Sequence, residues 1–225
     1  MNPPAVETDK VTRRFGRRWA LQGVSFAVPQ STVQVIGGHN GSGKSTLLRL
    51  IATAIRPNGG TARVVGFDVV RQREDVRRAT ALVTHQTYLY EALTARENLT
   101  IAADYLGSRD GLEGLLDRVG LLSREHDPVN TFSAGMRKRL MIARLLLQKP
   151  QVALFDEPYG QLDTAGFELF DKIVGELRAA GAAVVIATHQ LERTRGYADG
   201  AVILREGRVA WQGKAADAPD SFSPC

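Results

Sequence analysis

Cysteine occurs once in the 225 residues, at Cys225, so the sequence offers no intramolecular disulfide and no cysteine metal cluster. That thiol reads as an idle side chain on a frayed tail. No apolar run reaches the ~18–20 residues that cross a bilayer, which excludes a membrane-spanning helix. The opening residues, Met1 to Glu7, lack the basic region and apolar stretch of a secretory signal, so a cytoplasmic chain is expected. Short-period repeats and low-complexity tracts are also missing. What remains is ordinary globular usage, 44% apolar and 24% charged, enough for one large α/β domain or a core with a small subdomain. The net charge of +5 suits phosphate ligands, anionic lipid surfaces or nucleic acid, and distinguishes none of them.

Two β-like runs open the chain, Val6–Thr12 and Ala20–Val28, joined by a basic turn, Arg13–Arg18. A third, Thr32–Ile36, ends in Gly37-Gly38, and a helix is predicted from Lys44 to about Ile55, stopped by Pro57 and Gly59-Gly60. Ala62–Val65 and Ala81–Thr84 read as strands, and Arg71–Arg78 between them as a solvated helix face. From Thr94 to Leu147 the pattern turns helical. Thr94 and Glu97 have capping-box spacing, Gly111, Gly120 and the Pro128 region divide the stretch, and a helix is predicted over Arg137–Leu147. Val152–Phe155 and Ala183–Ala187 are continuously apolar, as in parallel strands covered on both faces, and flank a helix from about Thr164 to Ala180. Val202–Leu204 and Arg208–Trp211 form a final hairpin around Glu206-Gly207, and a polar, mobile tail is expected after Gly213.

Gly38-His39-Asn40-Gly41-Ser42-Gly43-Lys44-Ser45 fits G-x-x-x-x-G-K-S/T in full, Thr46 follows, and the motif lies between a predicted strand and a predicted helix. Glycines let backbone N–H groups wrap around phosphate oxygens, and the helix end adds its positive pole. Lys44 then supplies a cation for the β- and γ-phosphates, and the Ser45 hydroxyl can ligate Mg²⁺. A second signal is the strand Val152–Phe155 ending in Asp156-Glu157. It places Asp156 at the carboxyl edge of the sheet, where it can hold Mg²⁺, and turns Glu157 toward an attacking water as general base.

With these two motifs in place, residues 6–212 resemble the ATP-binding-cassette (ABC) ATPases. The resemblance implies an α/β P-loop NTPase fold: a mixed or parallel sheet core, an N-terminal antiparallel β subdomain and a helical insertion. The parts are expected at 1–86 (β subdomain and first core half), 87–147 (helical subdomain), 148–212 (second core half) and 213–225 (tail). Gln86 resembles the Q-loop glutamine, implied to contact Mg²⁺ or water and to sense a transmembrane partner. Phe132-Ser133-Ala134-Gly135-Met136 stands where the signature LSGGQ is usual, with Ser133 and Gly135 kept for γ-phosphate contact. Phe132, Ala134 and Met136 depart from it, which leaves the turnover rate open. Tyr159–Asp163 resembles the D-loop, with Gly160-Gln161 in place of the usual small pair and Asp163 retained. His189 resembles the switch histidine at the γ-phosphate, and Phe15 the aromatic stacked on adenine, with Trp19 as a weaker candidate.

The implied function is ATP binding and hydrolysis with Mg²⁺, in a dimer of this chain or with a paralogue that sandwiches two ATP molecules. Ser133 of one subunit would complete the Lys44 and Glu157 site of the other. Transmembrane permease subunits are the implied partners, and the chain would meet the inner face of the membrane only through them. Tyr88, Leu89 and Tyr90 are either part of a groove for a partner helix or core residues. His85-Gln86, Leu93–Leu99, Ser133-Ala134-Gly135, Asp156–Tyr159 and Ala187–Gln190 resemble the haem exporters of cytochrome c maturation. The short length fits too, since many importer ATPases carry a C-terminal regulatory domain. A generic drug, lipid or polysaccharide exporter is the near alternative, and cell-division, lipoprotein-release or iron–sulfur-assembly ATPases share the same motifs. Nucleic acid is not expected: the interval from Gln86 to Ser133 has no room for a coiled coil, the chain has a single cassette, and the Arg13–Arg18 turn reads as a contact to nucleotide phosphate or solvent.

Overall fold

A computed structural model of the chain describes residues 3–107, 111–160 and 162–219. Gln161 and Cys225 lie outside the described residues. The chain opens with β1 (Val6–Phe15), β2 (Arg18–Val28) and β3 (Val33–Gly37), followed by α1 (Lys44–Ile51). Next come β4 (Gly59–Val64), β5 (Phe67–Asp68), α2 (Arg73–Ala79) and β6 (Thr80–Val83). The helical stretch holds α3 (Ala95–Leu106), α4 (Leu112–Arg118) and α5 (Ala134–Gln148). β7 (Val152–Asp156), α6 (Thr164–Ala179), β8 (Ala183–Thr188), β9 (Gly200–Arg205) and β10 (Arg208–Lys214) complete the fold.

These strands form two sheets, an antiparallel one in the order β2-β1-β4-β5 and a mixed one in the order β10-β9-β3-β8-β7-β6. In the second, β3, β9, β8, β7 and β6 run parallel and only the β9–β10 pair is antiparallel. Its central strands are buried on both sides, which is why they read as unbroken apolar runs rather than alternating ones. One face, with Ala153, Phe155, Val184 and Ile186, packs against the helical layer through Leu99, Leu140 and Phe170. The other, with Val152, Leu154, Ala183 and Val185, packs against α1 and the antiparallel sheet through Leu47, Ile51, Val24 and Val64. A single sheet thus serves two cores.

Several boundaries differ from expectation. β1 runs on to Phe15 and β2 begins at Arg18, so the pairing of those two residues shrinks the expected Arg13–Arg18 turn to Gly16-Arg17. α1 stops at Ile51 rather than near Ile55 because Thr53 turns left-handed (φ 60°) and Ala54 N–H reaches back to the Arg49 carbonyl at 2.8 Å. α5 begins three residues before the expected Arg137, with the Ser133 hydroxyl accepting from Met136 N–H at 3.2 Å as its cap. The signature therefore belongs to the helix itself. Finally, residues 213–219 are not a loose tail: β10 continues to Lys214, and Ala215 and Ala218 bury themselves beside Val35 and Ile203.

Candidate active site

The register of the parallel strands sets the site. Gly37 of β3 lies level with Thr188 of β8, and Asp156 of β7 with Ala187, so three adjacent strands end together at one carboxyl edge. β3 runs out into residues 38–43, whose glycines are sterically required. A side chain on Gly38 (φ 144°) would lie 2.4 Å from the Leu204 carbonyl, and one on Gly43 (φ 111°) 2.5 Å from the Ala20 carbonyl. α1 starts directly after Gly43 with no side-chain cap and no acidic residue in its first turn, so the leading N–H groups and the positive end of the helix face the loop. Lys44 is buried, and its ammonium donates to the carbonyls of Gly38 (2.7 Å) and His39 (3.2 Å).

Asp156 and Glu157 diverge as expected of neighbours at a strand end. Asp156 accepts from the Ser45 hydroxyl at 2.8 Å through Oδ1, while its Oδ2 is buried without a hydrogen-bond partner. Burial raises the Asp156 carboxyl above its usual range, the Ser45 bond opposes this, and the Glu157 charge adds to it. Glu157 takes a left-handed backbone (φ 49°), uncommon outside glycine, and is held there by its N–H bond to the Ala187 carbonyl at 2.8 Å. Its carboxylate sits 3.5 Å from the Lys44 ammonium on one side and 2.9 Å from His189 Nδ1 on the other. The Thr188 hydroxyl donates to the same carboxylate at 3.3 Å. Lys44, Glu157 and His189 thus form one polar chain, with Ser45 and Asp156 beside it.

A cleft of about 400 Å³ opens over this chain, lined by Phe15, Arg18, Ala20, Asn40, Gly41, Gly43, Lys44, Ser45, Thr46 and Glu157. Phe15 is half exposed at its rim, with the Arg13 guanidinium 4.6 Å over the ring, and Trp19 carries Arg14 in the same way but lies outside the lining. Ser133, Gly135 and Asp163 are elsewhere. With Ala134, Met136 and Arg139 they line a second cleft of about 500 Å³ that shares no residue with the first. Asp163 caps α6 through Gly166 N–H (2.8 Å) and receives Arg139 at 3.1 Å. Of the other expected site residues, Gly38, His39, Ser42, Asp156, His189 and Gln86 do not line the first cleft; Gln86 has no bond to the others, and its carboxamide oxygen accepts from the Tyr88 hydroxyl at 2.6 Å. Tyr88 and Tyr90 are exposed, while Leu89 packs into the helical core.

Residues 21–160 match the ABC transporter family. The chain belongs to that family. It is an ATP-binding, ATP-hydrolysing cassette. Among its relatives is the daunorubicin/doxorubicin resistance ATP-binding protein DrrA of Streptomyces peucetius, 34% identical over 97% of this chain and 68% of DrrA. An ATP-binding subunit of an ABC transporter superposes with a TM-score of 0.87 at 29% identity, covering 95% of this chain and 91% of that one. A dimeric ATP-binding cassette in a post-hydrolysis state bound to ADP and phosphate superposes at 0.84 with 26% identity, covering 93% and 98%.

Several residues of the cassette's site escaped the sequence reading. Ala20 lines the first cleft but was legible only as part of a strand, and Arg18, also in the lining, only within a turn read as a contact to nucleotide phosphate or solvent. Thr188 was noted only as the neighbour of His189. Lys138, buried on α5, donates to the Glu157 carbonyl at 2.9 Å and had no motif to mark it. The signature departure Phe132 is a core anchor, 4% exposed in the helical cluster, and Tyr159 of the D-loop is buried with its hydroxyl on Asp171 (2.9 Å) and on Tyr197.

Proposed function

We propose that this ABC ATPase works as an ATP-driven clamp, dimerising on ATP, for a separate membrane permease. The observation that carries the reading is that Lys44, Ser45 and Glu157 line one cleft, with Asp156 bonded to Ser45 and His189 to Glu157, while Ser133 and Gly135 line another. In this reading Phe15 stacks on the adenine, and the backbone of Gly38, His39, Asn40, Gly41, Ser42 and Gly43, with Lys44 and Thr46, holds the phosphates. Glu157 orients the attacking water and takes its proton. His189 Nδ1 lies 2.9 Å from the Glu157 carboxylate and Nε2 3.5 Å from the Gln190 carboxamide nitrogen, and Nε2 can reach a γ-phosphate oxygen only as a protonated donor that has left Gln190.

The donor set also fits magnesium: Ser45 offers a hydroxyl, and Asp156 a buried carboxylate oxygen without a protein partner. When bound, the ion would neutralise charge on the β- and γ-phosphate oxygens. Gln86 would join these ligands only after releasing Tyr88.

Because the signature cleft is separate, a second cassette has to bring its own Ser133, Gly135 and Asp163 onto the bound ATP. Two copies related by a two-fold axis do this reciprocally. No helix among the described residues is long and apolar enough to cross a membrane, so transport requires partner subunits, docked through the Gln86–Tyr90 segment and the helical layer. For cargo, the resemblance to the daunorubicin/doxorubicin resistance protein DrrA supports a generic drug exporter. The motifs around His85-Gln86 and Ser133-Ala134-Gly135 support haem as a second candidate. Co-purification with the permease, followed by hydrolysis assays with an anthracycline or with haem, separates the two by which one stimulates turnover. For the clamp itself, Glu157→Gln should bind ATP, fail to hydrolyse it and elute as a dimer in size exclusion with light scattering. A monomer at saturating ATP rejects the clamp.

A further inference from the structure

Lys138 is 5% exposed, and a buried ammonium needs partners. It finds them in two backbone carbonyls, Glu157 at 2.9 Å and Gly160 at 2.6 Å. These carbonyls bracket the turn that the Gly160 N–H to Glu157 carbonyl bond closes at 3.3 Å. The turn links the γ-phosphate site to the D-loop, and Tyr159 inside it is pinned to Asp171 on its other side. Burial draws the Lys138 ammonium down to about 8, while Glu157 and Asp156 pull the opposite way, so the cation remains within the field of both acids.

The position of Lys138 along α5 gives this link a direction. The helix is capped by Ser133, which faces the signature cleft, and Lys138 follows five residues later, ~7.5 Å along the axis. One rigid helix therefore carries the residue offered to a partner's ATP and the ammonium that grips the backbone of this subunit's Glu157. We propose that Lys138 is a positioning residue that couples the two ATP sites of the dimer: seating of α5 on the partner's ATP fixes the Glu157 turn, so each site hydrolyses efficiently only when the other is filled. This rests on the ATP-clamp reading above.

The test uses Lys138→Met, which keeps length and apolar stem but removes the donors, with Lys138→Gln as a shorter neutral donor. In Lys138→Met, kcat should fall about tenfold or more with KM for ATP within about twofold, and the Hill coefficient should drop toward one. Lys138→Gln should lie between this variant and the unaltered protein. The Glu157→Gln/Lys138→Met double variant should still dimerise on ATP, since the link acts after binding. Unchanged kcat and Hill coefficient in Lys138→Met overturn the proposal, as does a KM that rises in step with the loss of kcat. If that variant does not fold, an unchanged Lys138→Gln overturns it. A Glu157→Gln protein that stays monomeric removes clamp and link together, whereas an ATP dimer with normal Lys138→Met kinetics removes the link alone.

Discussion

Asp156 costs the fold stability at the position where the proposed magnesium site needs a carboxylate. Its folded carboxyl titrates above the unfolded value, chiefly through burial. The folded state therefore prefers the protonated acid, and as pH rises past the unfolded value the group withdraws stability until its folded form has also ionised. Asp156→Asn keeps an acceptor for Ser45 and removes the charge. It should raise the melting temperature of the nucleotide-free protein by a few degrees, about 1 kcal/mol for a chain of this size. The same variant should lose magnesium-dependent hydrolysis, and calorimetry beside an ATPase assay reads both. The pairing of Asp156 with Ser45 was legible in advance because a glycine-rich loop and an acid-tipped strand each need a phosphate partner. Lys138 was not: a lysine in a helix ordinarily points to water, and only packing against the 157–160 turn buries it.

The elements were read best where a local rule acts alone. Thr94 and Glu97 form the reciprocal box their spacing announces: the Thr94 hydroxyl accepts from Glu97 N–H at 3.1 Å, and the Glu97 carboxylate accepts from Thr94 N–H at 2.7 Å. Those bonds hold the Glu97 carboxyl below its ordinary value. The start of α3 is also tied to the segment after Gln86, since buried Asn98 donates to the Tyr90 carbonyl at 3.0 Å and accepts its N–H at 2.8 Å. Thr94→Ala should destabilise the protein by about 1 kcal/mol in urea titration and leave KM for ATP unchanged, because the cap is remote from the nucleotide cleft. Where a rule met an exception, boundaries moved. Thr53 ends α1 in a conformation that usually calls for glycine, and Gly135 in the first turn of α5 hides a helix start that Ser133 caps.

Across the molecule, the mixed sheet is shared property. Phe155 packs edge-on to Phe170 at 4.9 Å on the helical side, while its neighbours Leu154 and Asp156 belong to the opposite core and to the active site. Damage to β7 should therefore spread to both layers. Phe155→Ala is expected to destabilise by about 3–5 kcal/mol. Its unfolding midpoints by helical circular dichroism and by fluorescence of Trp19 and Trp211 should shift together, as for one cooperative unit. Separate midpoints would show that the two cores unfold independently.

Local order and spacing were enough to announce the phosphate loop, the acid-tipped strand and the α/β class, because each needs only short-range geometry and a few obligatory residue types, whereas His189 was marked only by family resemblance. Long-range packing settled the rest. It brought β3, β8 and β7 level so that Lys44, Glu157 and His189 touch, sent Gln86 to Tyr88, buried Lys138, and set Ser133 in a cleft of its own, apart from the chain's own Lys44 and Glu157. Those outcomes depend on which strands become neighbours and how a helix lies on a sheet, and such choices are made by the burial of surfaces distant in the chain.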